Sequence, residues 1–207
     1  MKKTMLLFFI VITGCSNPVF KSSWATKRSP ENFTARFETS KGDFDLLITR
    51  EYSPLAVDRF YQLLKHHYFN NTLFYRVIPN FVAQFAVSDT SVRKNWRAFP
   101  VPDEKVVSNN TRGTISFARD GKDDRGLALF INLKDNPKLD TQTVKAVIGY
   151  PPLGKVIRGM DVVDSLYSGY GNNTLKQERN LYRNRSAFLD SFPKLDSIKK
   201  AYLLKNK

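Results

Sequence analysis

Between residues 72 and 157 the chain repeats one local pattern: a short run rich in β-branched and aromatic residues, then a cluster of turn formers. The runs are Thr72–Ile78, Phe81–Val87, Thr114–Ala118, Leu127–Leu133, Val144–Ile148 and Lys155–Ile157. Between them, Arg119–Arg125, Asn136–Asp140 and Tyr150–Gly154 concentrate Gly, Pro, Asn and Asp. Strands this short and this closely spaced, with few helices between them, fit a closed antiparallel barrel or a sandwich. Upstream, Ala35, Phe37 and Thr39 alternate with polar residues, and so do Phe44, Leu46 and Ile48, across the turn Ser40-Lys41-Gly42-Asp43. That pattern predicts a β-hairpin.

Two helices are expected. Ser53-Pro54 offers an N-cap with proline at the first helical position, and Val57, Phe60, Tyr61 and Leu64 follow at helical spacing. The helix should end near His66-His67, where positive charge suits a C-terminus. The second is expected over Met160–Tyr167, from Val162, Val163 and Leu166. Beyond Gly169, Gly171 and Asn172-Asn173 the composition changes. Residues 174–207 carry nine Lys/Arg against three Asp/Glu. There Pro193 precedes Leu195, Ile198, Ala201 and Tyr202, spaced as a short amphipathic helix.

Composition removes several classes of function. The chain has 207 residues, one Cys and two adjacent His. One Cys makes no internal disulfide framework and no Cys-rich zinc site, and neighbouring histidines do not share a helix face. No metal and no cofactor are expected. There is no Gly-x-Ser-x-Gly, no phosphate-binding glycine loop and no His-Glu-x-x-His. The net charge of +14 invites a nucleic-acid reading, but the basic residues are spread along the chain rather than interleaved with aromatics on one stripe. No nucleic-acid partner is expected.

The N-terminus reads as an address. Lys2 and Lys3 precede the apolar run Met5–Ile12, too short to span a bilayer, which takes roughly 20 residues. Ile12-Thr13-Gly14-Cys15 resembles a bacterial lipobox. The expectation is a lipoprotein signal peptide over residues 1–14, lipidation at Cys15, a tether over 15–33, and a membrane reached through the lipid anchor outside the cytoplasm. Cleavage would leave 31 Lys/Arg against 19 Asp/Glu, a net +12, of which the 174–207 tail holds +6.

One segment carries more specific information: Phe74-Tyr75-Arg76-Val77-Ile78-Pro79-Asn80-Phe81-Val82-Ala83-Gln84. It closely resembles the signature of cyclophilin-type peptidyl-prolyl cis–trans isomerases, Phe-His-Arg-Val-Ile-Pro-x-Phe-x-x-Gln. Weaker elements follow in the family's order: Lys41–Phe44, Pro102-Asp103-Glu104, Gly113–Ala118, Phe130-Ile131-Asn132 and Gly154–Val163. The resemblance spans about residues 34–171, with 172–207 as a basic extension. It implies a mainly β fold: a closed eight-stranded antiparallel barrel capped by two helices, here with a C-terminal helical extension.

The resemblance also implies site roles. Arg76 matches the catalytic arginine. Phe81, Val82, Phe130 and Leu139 match the walls of the proline pocket, and Tyr150 aligns with its histidine. Gln84 matches the glutamine that orients the arginine, and Ala118 and Arg119 match a stretch that pairs with the peptide main chain. The implied partner is a proline-containing polypeptide, bound by a monomer. Some positions depart from the pattern: Phe85-Ala86-Val87 replaces Gly-Gly-Asp, Ala128 a glutamine, and Lys138 a tryptophan. Those departures, with the basic tail, motivate an alternative, a non-catalytic peptide-binding or chaperone-like module on the same fold.

Overall fold

The computed structural model describes residues 19–86, 90–125 and 127–205. The expected signal peptide and Cys15 lie outside the described residues. In chain order the elements are β1 (Asn32–Thr39), β2 (Gly42–Thr49), α1 (Pro54–Lys65), β3 (Thr72–Leu73), β4 (Arg76–Val77), β5 (Val82–Phe85), α2 (Thr90–Arg97), β6 (Thr114–Phe117), β7 (Leu129–Asn132), α3 (Lys138–Thr141), β8 (Thr143–Val144), β9 (Val147–Ile148), β10 (Pro152–Arg158), α4 (Met160–Asp164), α5 (Glu178–Arg183), α6 (Arg185–Ser191) and β11 (Ser197–Leu203). Among the described residues no helix is long and apolar enough to cross a membrane.

The hairpin forms as its alternation predicts. β1 buries Phe33, Ala35, Phe37 and Thr39, and β2 buries Phe44, Leu46 and Ile48 on the same side. Phe37 sits opposite Phe44, their rings stacked at 5.1 Å. Against this face α1 lays Ala56, Val57, Phe60, Leu63 and Leu64, with Phe60 within 5.3–6.3 Å of Phe33, Phe37 and Phe69. Burying that many large rings supplies most of the drive to fold, at about 1.5–3 kcal/mol for each large apolar side chain. Pro54 opens α1 as expected, but the Ser53 hydroxyl donates to Glu104 rather than capping the helix. Glu104 is the cap: its carboxylate accepts from the Leu55 and Ala56 amides at 2.8 and 3.1 Å.

The ladder corrects the expected closed eight-stranded barrel. It is one open, curled antiparallel sheet of nine strands, in the order β3-β11-β1-β2-β10-β6-β7-β5-β4. The reason lies in Thr72–Ile78, which divides. Thr72 and Leu73 pair with β11, whereas Arg76 and Val77 pair with β5 on the other edge. Phe74 and Tyr75 join the two edges along the chain, so the edges meet covalently within about 10 Å instead of through a hydrogen-bonded ladder. The remaining two strands, β8 and β9, form a separate two-residue hairpin, turning through Lys145 and Ala146 at positive φ.

The C-terminal reading is corrected too. Leu195–Tyr202 is not helical. Ser197–Leu203 is a strand that pairs with β1 and β3 in the interior of the sheet. Its buried residues, Ile198 and Ala201, are three apart because the register shifts between Glu38 and Thr39 of β1. A β-bulge adds one residue to the inward spacing, and three is also a helical interval. The helical part of this region, α5 and α6, lies upstream, in an excursion between α4 and β11. The excursion buries Leu181, Phe188 and Phe192 with Leu73 and Tyr75 in a second small core. Within the segment expected as a tether, Phe20 packs edge-on against Trp96 at 5.0 Å, and Trp24 stacks on His66 at 3.7 Å.

Candidate active site

Antiparallel register builds the site. Arg76 on β4 lies opposite Gln84 on β5, Gln84 opposite Phe130 on β7, and Phe130 opposite Ser116 on β6. Residues directly opposite share a face of the sheet, so these four form one row. Their neighbours along the strands, Ala83, Ile131, Leu129 and Phe117, point into the main core. The row therefore occupies the face turned away from it.

On that face Val82, Phe130 and Leu139 form an apolar cluster separate from the main core, with Phe81, Ala118 and Tyr150 packed against it. Phe130 meets Tyr150 edge-to-face at 5.8 Å. Beside the cluster, Arg76 donates from Nη1 to Gln84 Oε1 at 3.2 Å and from Nε to Asn172 Oδ1 at 2.8 Å, and its guanidinium carbon lies 5.8 Å from the Phe81 ring. Burial pulls the Arg76 pKa below the ordinary arginine value, yet the group stays charged at any physiological pH. Burial likewise pushes the neighbouring Tyr75 phenol well up, so it is neutral. A cleft of about 730 Å³ joins Arg76, Gln84 and this cluster.

Every residue singled out from the sequence for this site, Arg76, Phe81, Val82, Gln84, Ala118, Arg119, Phe130, Leu139 and Tyr150, lines that one cleft. Arg119 has a particular place. Its guanidinium is buried, donating to the Val147 carbonyl at 3.1 Å and lying 4.7 Å from the Tyr150 ring. Its side chain thus backs Tyr150. Ala128 also lines the cleft, and Lys138 is exposed at the start of α3.

A buried amide network holds the pocket walls. Asn110 donates to the Asp140 carboxylate and the Tyr150 carbonyl at 2.8 and 2.9 Å. Asn132 donates to Asn110 Oδ1 and Thr114 Oγ1 at 3.1 and 2.9 Å. Asn136 donates to Asn132 Oδ1 and the Phe81 carbonyl at 2.8 and 3.0 Å. Three asparagines thereby tie the Phe81 turn, α3 with Leu139, and the chain at Tyr150 into one frame. Of these, Asn132 belonged to a family-like element noted in the sequence and Asn136 to a turn cluster; Asn110 belonged to neither.

A model of the family described as cyclophilin type peptidyl-prolyl cis-trans isomerase/CLD matches residues 34–183. The chain belongs to this family. The isomerase is 35% identical over 139 residues to a peptidyl-prolyl cis-trans isomerase of Acinetobacter baylyi, covering 65% of this chain and 72% of the relative. It is 32% identical over 158 residues to peptidyl-prolyl cis-trans isomerase A of Dickeya dadantii, covering 75% and 80%. A cyclophilin of Cryptosporidium parvum superposes with a TM-score of 0.61 at 21% identity, over 85% of this chain and 99% of that one, a likeness of fold.

Sequence reasoning missed two walls of this cyclophilin's cleft. One is α2, which contributes Trp96; its only periodic signal is Val92 and Trp96 four residues apart. The other is the excursion, which contributes Leu175, Glu178 and Tyr182 to the cleft and Asn172 to Arg76. The two walls touch: Thr90 Oγ1 donates to the Tyr182 carbonyl at 2.8 Å, and the Arg93 guanidinium lies 3.5 Å from the Tyr182 ring.

Proposed function

We propose that this cyclophilin accelerates rotation about Xaa–Pro bonds with Arg76 as its catalytic residue, acting as a monomer on unfolded or secreted polypeptides at the cell envelope. The supporting observation is the register row, which sets a fixed cationic donor beside an apolar pocket separate from the core. The peptide C–N bond resists rotation because nitrogen lone-pair resonance stiffens it, with a barrier of roughly 18–20 kcal/mol. No nucleophile is required. A donor that favours the twisted amide suffices, together with a pocket that keeps the proline ring still while the preceding carbonyl swings.

Phe81, Val82, Phe130, Leu139 and Tyr150 supply the pocket, and Ala118 with the Arg119 main chain supplies an edge for the peptide. Arg76 supplies the donor. Its guanidinium has five N–H groups, and Gln84 and Asn172 occupy two. The rest can bond the carbonyl oxygen before proline and face the prolyl nitrogen as it becomes pyramidal. Lowering the barrier by about 7 kcal/mol gives about 10⁵-fold acceleration, and a preorganised donor in a partly desolvated cleft can supply about 10²–10³ of it. The relation to proline peptides has a parallel in the C. parvum cyclophilin, also solved in the presence of the dipeptide Ala-Pro. The test is an isomerase assay on a short Xaa-Pro peptide, parent against Arg76→Ala. A binding-only module would hold the peptide with no turnover in either.

The envelope location rests on the lipobox-like Ile12–Cys15. Because Phe20 is already packed on the domain, only residues 16–19 separate it from Cys15, a span of about 18 Å at full extension. An anchored enzyme would thus work close to the lipid surface, where its basic surface gains attraction to anionic headgroups. Mass spectrometry of the protein from bacterial membranes, showing a diacylated Cys15 terminus or an unprocessed Met1, decides this.

A further inference from the structure

We infer that Asn172, in the C-terminal excursion, is a positioning residue for Arg76, which makes the excursion a working part of the catalytic site. The inference rests on the isomerase reading of that site.

Arg76 has two holds, and they differ in origin. Gln84 is its cross-strand partner and lies in the same local motif. Asn172 comes from 96 residues further along and makes the shorter bond, 2.8 Å from Nε to Oδ1. The two bonds differ in what they fix. One hold on Nη1 leaves the guanidinium free to swing about that contact. A second on Nε, at another edge of the planar group, fixes both its tilt and its direction. Only then do the unused N–H groups on Nη1 and Nη2 present a constant fork to the cleft. A free arginine side chain samples many rotamers, and holding it in advance spares that ordering cost when substrate arrives.

The turn carrying Asn172 is itself built to stay in place. The Gly171 amide donates to the Ser168 carbonyl at 3.1 Å, and the Asn173 amide to the Tyr170 carbonyl at 2.9 Å. Gly171 takes φ +49°, backbone that glycine adopts without strain. The Tyr170 ring packs on Tyr167 and Phe192 at 4.9 and 5.1 Å, and its hydroxyl accepts from the Lys194 amide at 3.3 Å. Phe192 belongs to the second small core, which also contains Leu73 at the end of β3 and Tyr75 immediately before β4. One apolar cluster therefore locates both partners of the Arg76–Asn172 bond.

The experiment compares the parent, Asn172→Ala, Asn172→Asp, Arg76→Ala and the Arg76→Ala/Asn172→Ala double variant by kcat/KM and KM on an Xaa-Pro peptide. It is paired with the ¹⁵N–¹H resonance of Arg76 Nε. Asn172 is exposed, so its replacement should leave the thermal midpoint unchanged. A hydrogen bond to a charged group sets the scale at about a tenfold or greater fall in kcat/KM for Asn172→Ala, with KM little changed. Asn172→Asp keeps an acceptor oxygen and should retain most of the parent rate. In the Arg76→Ala background Asn172→Ala should cost nothing more. The inference is overturned if Asn172→Ala stays within about twofold of the parent, or lowers the residual Arg76→Ala rate by the same factor as it lowers the parent's. If the parent proves inactive, the isomerase reading fails on its own, while an unmoved Nε resonance in Asn172→Ala would separately refute the bond.

Discussion

Replacing Asp45 with Asn should destabilise the protein at neutral pH and remove one component of its acid sensitivity. Asp45 lies on β2, opposite Arg36 on β1 and Arg158 at the end of β10. Its carboxylate accepts from Arg36 at 2.8 and 3.0 Å and from Arg158 at 2.7 and 3.2 Å, pinning three adjacent strands. The hydrogen bond from Arg36 and then that from Arg158 outweigh burial and hold the carboxyl at about 2, against an ordinary 3.8. At about 1.36 kcal/mol per pH unit that gap corresponds to about 2.5 kcal/mol. Side-chain exposure of 30% for Arg36 and 50% for Arg158 screens the pairing, so about 1 kcal/mol is the expected size. Because the folded-state value is depressed, this stability is fully present above about pH 4 and is lost as pH falls towards about 2. Urea melts followed by tryptophan fluorescence suit the test, since Trp96 is buried. The parent should exceed Asp45→Asn by about 1 kcal/mol at pH 7, and the gap should close between pH 4 and 2. A gap that is absent at pH 7, or constant down to pH 2, would refute the reasoning.

Other perturbations separate binding from folding. Phe130→Ala should raise KM for an Xaa-Pro peptide several-fold, by opening the pocket between Val82, Leu139 and Tyr150, and steady-state kinetics read this directly; an unchanged KM would place the proline ring elsewhere. Glu104→Ala removes the cap of α1 and a carboxylate 3.1 Å from the buried Arg125 guanidinium. Equilibrium unfolding should show a loss of about 3 kcal/mol or more, and a change under about 1 kcal/mol would deny the cap its role.

What the sequence made legible was whatever one strand or one motif contains. The β1–β2 alternation, the α1 periodicity and the Phe74–Gln84 segment are local, and so are the consequences of their register. Even Phe130, far from Arg76 in the chain, was reachable because it sits in its own short motif, Phe130-Ile131-Asn132, whereas Leu139 and Tyr150 were reached only by their alignment with the family. Features that need two distant segments were not legible. Thr72–Ile78 looks like one strand, and only its pairing with β11 on one side and β5 on the other divides it. The bulge opposite Glu38 and Thr39 gives β11 a three-residue inward spacing, which imitates a helix. Asn172 has no signal of its own: an exposed asparagine in a glycine-rich turn acquires meaning only when Arg76 is 2.8 Å away.

The most direct measurement is the catalysed cis–trans exchange of a short Xaa-Pro peptide by the parent and by Arg76→Ala, with thermal melts of both. Catalysis in the parent, a fall of about 10²–10³-fold in kcat/KM on losing the arginine, and matching melting midpoints are predicted. No catalysis in the parent, or an Arg76→Ala variant as active as the parent, would contradict the assignment of Arg76 as the catalytic residue of this cyclophilin.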